Sequence, residues 1–167
     1  MIKKILLFAL MLIPVYAFAQ ESQKIAHLFT SEVLLAMPEF TQMNDSLQKQ
    51  AAIFDGEMKM LQEDYQKKYE TYLEQRDSLT ESIRMRREQE LTDLGEKAMT
   101  FQQEARSAQE QLQEALITPI REKIVKAVQE VAAENKYAYV IEIQYLLYVS
   151  PESVNATPLV KTKLGIK

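Results

Sequence analysis

The side chains that could perform chemistry are spread thinly along this chain. His27 is the only histidine and cysteine is absent, so no histidine and cysteine set can form a zinc site or an activated thiol. Carboxylates are numerous, but they alternate with Gln and Lys in helical patterns and indicate a solvated surface. A glycine-rich phosphate loop and a nucleophile beside a base are also missing. The sequence therefore predicts a protein without enzymatic activity, metal site or cofactor.

A stripe of tyrosines is the most unusual feature of the middle of the chain. In DYQKKYETYLEQRD, tyrosines recur at spacings of four and three, where a stable coiled coil normally carries Leu or Ile. Tyrosine tolerates water and still offers apolar area to a partner, and methionine makes adaptable contacts. We predict that this surface binds a partner through Met58, Tyr65, Tyr69, Tyr72, Met85 and Met99. The alternative is that the tyrosines only pack one helix against another.

Basic side chains gather in the same region, among fewer acids. Four arginines stand out: Arg76, Arg84, Arg86 and Arg87. They indicate either a charged face in solvent, or a contact with a bound partner or, weakly, with an anionic membrane surface.

The elements that carry these residues are long helices. Between Pro38 and Pro119 there is no further proline, and the only glycines are Gly56 and Gly95. Apolar residues recur there in alternating steps of four and three, forming one seam that includes Tyr65 and a second, alanine-rich seam after Leu91.

A cluster of helix-capping residues separates the two seams. Asp77 or Ser78 could cap a new helix, and Ser78 with Glu81 has the spacing of a capping box. These features predict an antiparallel helical hairpin over residues 40–117, with its tip at about 76–82. One continuous helix without a tip is the competing interpretation.

The flanking segments predict a small body of strands and helices. Strands are expected at 24–29, 137–142 and 146–149, which are rich in aromatic and β-branched residues. Pro119 is expected to open a separate helix, and Thr157 to cap a last one. The body thus comprises residues 20–39, with the first strand and a short helix, and residues 118–167, with a helix, two strands and the C-terminal helix. The fold class is α+β and mainly α.

The first nineteen residues have the pattern of a cleaved signal peptide. Lys3 and Lys4 precede an apolar run that ends in Ala17-Phe18-Ala19. Because these are the only charges of residues 1–19, the remaining chain keeps 18 of the 20 basic side chains against 24 acidic ones, a net charge of −6. We therefore expect export to the periplasm and no binding to nucleic acid, which requires clustered positive charge.

A single copy of this chain would be poorly stabilised. The body segments are short, and a lone pair of helices leaves much of its seam in water. Three short strands also leave open edges that can pair with another copy. The sequence therefore predicts a homo-oligomer.

The order of these elements resembles the Skp/OmpH family of periplasmic chaperones. The most specific part is C-terminal, where Tyr137 to Glu142 form an aromatic and aliphatic strand with an acidic end, and Leu146 to Tyr148 and Val154 to Thr157 follow. The resemblance implies a homotrimer, in which strands of three copies complete a small β-barrel body and three helical hairpins project like tentacles around a cavity. It also implies that unfolded outer-membrane proteins are held there without ATP.

Two departures from the family pattern change particular expectations. The mature chain is acidic, whereas better-known members are strongly basic, which argues against capture of clients by opposite charge. A glycine commonly precedes the strand tyrosine, but Lys136 stands there, so Asn135 is expected to adopt the left-handed conformation. We predict a holdase chaperone for unfolded outer-membrane proteins, and the alternative is a structural coiled-coil spacer of the cell envelope.

Overall fold

A computed structural model describes residues 23–166, so the signal peptide expected at 1–19 lies outside the described residues. The elements in chain order are β1 (Lys24–Leu28), α1 (Thr30–Ala36), α2 (Pro38–Gln75), a 3-10 turn (Arg76–Ser78), α3 (Glu81–Asn135), β2 (Tyr137–Glu142), a second 3-10 turn (Ile143–Tyr145), β3 (Val154–Asn155) and α4 (Thr157–Lys163). The described chain is thus mainly helical, with two long helices and one small sheet, as its sequence predicts.

The two long helices pack side by side in opposite directions. Contacts between them join Glu39 to Lys123, Phe54 to Phe101 and Lys68 to Glu90. Residue numbers therefore rise along α2 while they fall along α3. We call the paired segments of α2 and α3 that project beyond the body the arm.

The chain reverses direction through the short 3-10 turn and the two residues after it. The predicted cap of α3 by Asp77 or Ser78 is wrong, because α3 begins only at Glu81 and Thr80 occupies the N-cap position without a side-chain hydrogen bond. The Ser78 hydroxyl instead donates to the carbonyl of Gln75 at 2.7 Å. Ser78 therefore completes the end of α2.

Pro119 lies inside α3 and does not open a separate helix, so that prediction is wrong. A proline in a helix interior costs about 3 kcal/mol through its missing N–H and its ring. Ile117, Ile120 and Ile124 around it are all buried, and burial of each such side chain contributes about 1.5–3 kcal/mol. The core therefore keeps the helix continuous, and the boundary expected between residues 117 and 118 falls within one element.

The sheet has the order β2-β1-β3, and both strand pairs are parallel. The strand predicted at 146–149 is wrong: the third strand is Val154–Asn155, which pairs with Ala26 and His27. Residues 146–149 follow a 3-10 turn and, within the described part of the chain, pair with no strand. A strand requires a hydrogen-bonded partner, and β-forming residues alone do not supply one.

One hydrophobic core joins the body elements to the base of the arm. It includes Val33 of α1, Met43 of α2, Val160 of α4 and the buried face of α3 from Ile117 to Val131. These side chains are almost completely excluded from water. The helices of the arm therefore continue directly from the body core, without a linker.

The junction between β1 and α1 is fixed by residues that are distant in sequence. The backbone N–H of Phe29 donates to the Thr157 hydroxyl at 3.0 Å, and that of Thr30 donates to the Glu142 carboxylate at 3.0 Å. Glu142 thereby caps α1, which has no side-chain cap at its own N-cap residue. Thr157 is not the N-cap of α4 as predicted, because Ala156 holds that position and the Thr157 hydroxyl is bound to Phe29.

A lysine follows the last residue of α3, at a position where a glycine would be more favourable. Lys136 adopts φ 57° and ψ 40°, the left-handed conformation expected for Asn135. The expectation for Asn135 is wrong because that residue stays helical, with its amide donating to the carbonyl of Val131 at 2.8 Å. A residue with a Cβ is strained in this conformation, by about 1–2 kcal/mol.

Replacing Lys136 with glycine should therefore stabilise the protein. We expect Lys136→Gly to raise the free energy of unfolding by about 1 kcal/mol at fixed protein concentration, because glycine adopts positive φ without steric cost. Lys136→Ala removes the same charge but keeps the Cβ and should have little effect. Denaturant titration checks both variants, and equal stabilities would contradict this explanation.

Candidate client-binding surface

The side chains that join α2 to α3 differ between the base and the tip of the arm. Near the base, the rings of Phe54 and Phe101 meet edge to face, with centroids 6.0 Å apart and planes at 81°. Such aromatic pairs stabilise beyond the area they bury. Farther out, Leu91 is buried between the helices and charged side chains border the contact.

Lys68 forms the centre of the polar contact in the outer arm. Its ammonium group lies 2.7 Å from Glu90 across the interface and 3.5 Å from Asp64 on its own helix, while Arg87 binds the other oxygen of Glu90 at 3.1 Å. The hydrogen bond from Lys68 lowers the pKa of Glu90, and the same bond raises the pKa of Lys68. Both groups therefore stay charged at neutral pH, but exposed ion pairs of this kind stabilise little.

Tyr72 faces the second helix. Its hydroxyl donates to the carboxylate of Glu88, and this bond raises the pKa of the tyrosine. The side chain is half-buried, so most of its surface is already used within the arm. Of the three tyrosines, Tyr72 fits the packing alternative best.

Tyr65 and Tyr69 behave differently. Their rings are stacked, with centroids 6.1 Å apart and planes at 10°, and they remain 38% and 39% exposed. The sequence places Tyr65 in the seam, but this much of its ring faces solvent because the partner helix covers only one side of α2. Leu73, four residues after Tyr69, is 50% exposed and extends the row. The spacing of four was visible in the sequence, but the prediction omitted Leu73.

The predicted methionines lie on the same side of the arm as Tyr65 and Tyr69. Met58 lies seven residues before Tyr65 and lines a groove between α2 and α3 with Asp55, Gln102 and Arg106. Met99 precedes these α3 residues by three and seven positions, so helical spacing places it on their side.

Met85 lies two heptads before Met99 and shares its row. Met85 and Met99 are 62% and 74% exposed, whereas Met58 is half-buried. We call this side the tyrosine face; it consists of Met58, Tyr65, Tyr69, Leu73, Met85 and Met99.

The other side of the arm is rich in charge. A second groove between the helices is lined there by Asp64, Lys67, Lys68, Arg87 and Glu90. Positive and negative groups alternate and pair with each other. The charged side also carries exposed apolar groups, because Met60 and Ile83 precede Asp64 and Arg87 by four positions and are 56% and 45% exposed. The tyrosine face differs from it by its stacked aromatic rings.

The four arginines near the tip do not form a single cluster. Arg87 is engaged with Glu90, and Arg84 is half-buried. Arg76 and Arg84 lie close enough to Tyr72 for their charges to oppose the rise of its pKa. Only Arg76 and Arg86 are both exposed and, among residues 23–166, without an ion pair.

The described residues contain neither a metal-binding cluster nor a membrane-spanning helix. Between residues 23 and 166, no group of three His, Cys, Asp or Glu side chains is arranged to hold a metal ion. Over the same range, no helix is long and apolar enough to cross a membrane. His27 is buried in the sheet and lies 3.0 Å from the Ser153 hydroxyl.

These features define a protein with a small mixed body and a long helical arm. The family model described as outer membrane protein (OmpH-like) matches residues 24–164. The chain therefore belongs to the Skp/OmpH family, whose members are periplasmic chaperones of outer-membrane proteins and are not enzymes. A comparison with curated proteins finds no match.

The exposure of the tyrosines leads to a prediction that separates binding from packing. Replacing Tyr65 and Tyr69 together with Ser should leave most helicity in place, because Ser and Tyr have similar helix propensities, and should destabilise the arm by about 1 kcal/mol through loss of the stacked pair. The variant should protect an unfolded outer-membrane protein from aggregation clearly less well than the wild type.

Tyr72→Ser is the matched comparison for this pair. It removes a half-buried ring and should destabilise the arm by about 1 kcal/mol. Circular dichroism, thermal unfolding and light scattering with a client distinguish the two outcomes. Full protection by the Tyr65/Tyr69 variant would show that the tyrosine face does not bind clients.

Proposed function

We propose that this protein is an ATP-independent holdase in the periplasm that binds unfolded outer-membrane proteins between its arms and prevents their aggregation. The observation that carries this proposal is the tyrosine face. Its exposed rings and thioethers offer apolar area that becomes buried only when an unfolded chain is bound. Membership of the family supports the same class of client.

The contacts on this face are suited to a broad range of clients. Methionine side chains are flexible and polarizable, and tyrosine rings bind both apolar and polar groups. Promiscuous binding surfaces use side chains that can repack against different partners. Many weak contacts of this kind hold a client without fixing its conformation.

A structural spacer of the cell envelope is the second candidate. A spacer has no use for exposed apolar area and should bury its seam permanently. The half-buried interface between α2 and α3 and the charged outer contacts are compatible with this function, but the exposed Tyr65, Tyr69 and Met99 are not needed for it. The exposure of these side chains therefore favours the holdase.

The proposed assembly is a homotrimer formed through the body. β2 and β3 are the outer strands of the sheet and, among the described residues, pair only with β1. Large apolar side chains beside them are exposed in the single chain, including Tyr139, Tyr145 and Tyr148, and Leu147 is entirely in solvent. Pairing with two further copies would satisfy these strand edges and cover these side chains.

A weak contact between the arm tip and a membrane surface remains a subsidiary proposal. It rests on Arg76 and Arg86, the two exposed arginines with no ion pair among residues 23–166. Each basic side chain near an anionic surface contributes about 1 kcal/mol. Two such residues support only a transient contact.

An aggregation assay tests the proposed function directly. Mature protein at stoichiometric ratio should keep an unfolded outer-membrane β-barrel protein soluble after dilution from urea, without added nucleotide. Because the mature chain is acidic, protection should persist from low to moderate salt, where screening shortens the reach of charges to about 8 Å. A soluble helical protein of the same charge serves as the control. Failure to protect at any salt concentration would favour the spacer.

Removal of the arm tests the proposed assembly. Joining Gln48 to Gln113 through a short linker retains the core side chains Met43, Leu47 and Leu116. The shortened chain should still form a trimer by analytical ultracentrifugation but should no longer protect clients. A folded monomer would place assembly in the arms.

A further inference from the structure

Tyr65 and Tyr72 occupy equivalent positions of α2, seven residues apart, but α3 covers them differently. Tyr72 is half-buried and donates its hydroxyl to the carboxylate of Glu88. Tyr65 is 38% exposed and stacks on Tyr69 of its own helix. The difference in exposure must therefore come from the residues that α3 places opposite each ring.

Gly95 is the residue of α3 that lies opposite Tyr65. Because the helices are antiparallel, a step of seven residues towards the base converts the contact of Tyr72 with Glu88 into one of Tyr65 with Gly95. A second step of seven leads to Met58 and Gln102, which line one groove together. Observed neighbours on both sides thus fix the register at Tyr65 and Gly95.

Neither the packing of the helices nor the backbone requires a glycine at position 95. A Cβ added to Gly95 would meet no atom within 4 Å, so the glycine does not serve a close approach. Its φ is not positive, since the positive values among residues 23–166 belong to Lys136 and Gly165. A glycine inside a helix costs about 0.5–1 kcal/mol relative to alanine. What this glycine provides is open space beside the ring of Tyr65.

An aromatic side chain matches the chemistry of this space. Closer to the base, α3 supplies a ring of its own, because Phe101 packs edge to face on Phe54. At Tyr65 and Tyr69, α2 presents two stacked rings and α3 presents only Gly95. Aromatic rings gain stability from pairing beyond the area they bury. Transmembrane β-barrels carry girdles of aromatic residues, so their unfolded chains supply many such side chains.

We propose that Gly95, Tyr65 and Tyr69 form a subsite within the tyrosine face that takes one aromatic side chain of an unfolded client. The client ring packs against Tyr65 in the space that a longer side chain at position 95 would fill. The nature of the physiological ligand rests on the proposed function, whereas occupation of the subsite by an aromatic ring is measured without an aggregation assay.

Tryptophan fluorescence measures binding at this subsite. The chain has no tryptophan, so the emission of a tryptophan-containing peptide reports the ligand alone. The probe is an unstructured peptide of Gly, Ser, Asn and several Trp residues, and its counterpart carries Leu in place of each Trp and is measured by competition. The mature wild-type protein should shift the emission to shorter wavelength and should bind the Trp peptide more tightly than the Leu peptide.

Substitutions at the two arm glycines separate filling of the subsite from a gain in helix stability. Gly95→Gln adds the side chain type found at Gln102 and should weaken binding of the Trp peptide by about 2- to 10-fold. Gly95→Ala adds only a Cβ and should bind like the wild type. Alanine and glutamine both favour helix over glycine, so both variants should fold. Equal affinities of these two variants would overturn the subsite.

Gly56→Gln is the matched control for the change of residue type. Gly56 is exposed and follows Phe54 by two residues, on the side of α2 that is turned away from α3. This variant makes the same exchange outside the tyrosine face and should bind the Trp peptide like the wild type. A loss as large as that of Gly95→Gln would also overturn the subsite.

Two further comparisons test the aromatic preference and keep it separate from the proposed function. Tyr65→Phe keeps the ring and should retain affinity for the Trp peptide, whereas Tyr65→Ser should lose it. Weakening of the Trp and Leu peptides by the same factor in Gly95→Gln would overturn the preference for aromatic side chains. Failure of the wild type to protect clients, with intact binding of the Trp peptide, would reject the holdase and leave the subsite standing.

Discussion

The structure depends on one constraint, the burial of a single face of α3 in the body core. Ile117, Ile120, Ile124 and Val131 pack against β1, α1, the start of α2 and α4. The same helix continues into the arm. Because the body side of α3 is fixed by this packing, the direction of the arm is set by the core, although most arm residues make no contact with the body.

The arm itself has little stabilising interaction to spare. Its interface contains one aromatic pair, the buried Leu91 and several exposed ion pairs. Aromatic packing contributes appreciably, whereas exposed ion pairs contribute about 0–1 kcal/mol each.

Exposure of apolar side chains has two different consequences in this molecule. In the body, Tyr145, Leu147 and Tyr148 lie beside strands with open edges, which supports the proposed pairing between copies of the chain. On the arm, Tyr65, Tyr69 and Met99 lie in helices, whose backbone groups bond within each helix rather than to a neighbouring strand. Only side chains are available there, which permits partners of varied sequence.

Local pattern in the sequence was enough for the long helices and the first two strands, because hydrophobic periodicity acts over short distances. It was misleading at residues 146–149, where β-forming residues lack a partner strand, and at Pro119, where burial of neighbouring isoleucines outweighs the proline. The left-handed residue was displaced by one position, because the Asn135 amide bonds to its own helix.

The sequence by itself determined that Met58, Tyr65, Tyr69 and Tyr72 lie on one long helical segment. Which of these side chains face solvent was decided only by the tertiary structure, because the register between α2 and α3 places Tyr72 against Glu88 and leaves Tyr65 and Tyr69 partly uncovered. The hydrogen bonds from the backbone of Phe29 and Thr30 to Thr157 and Glu142 could likewise not be predicted from the sequence. Contacts between residues more than a hundred positions apart depend on the packed core, which no local pattern encodes.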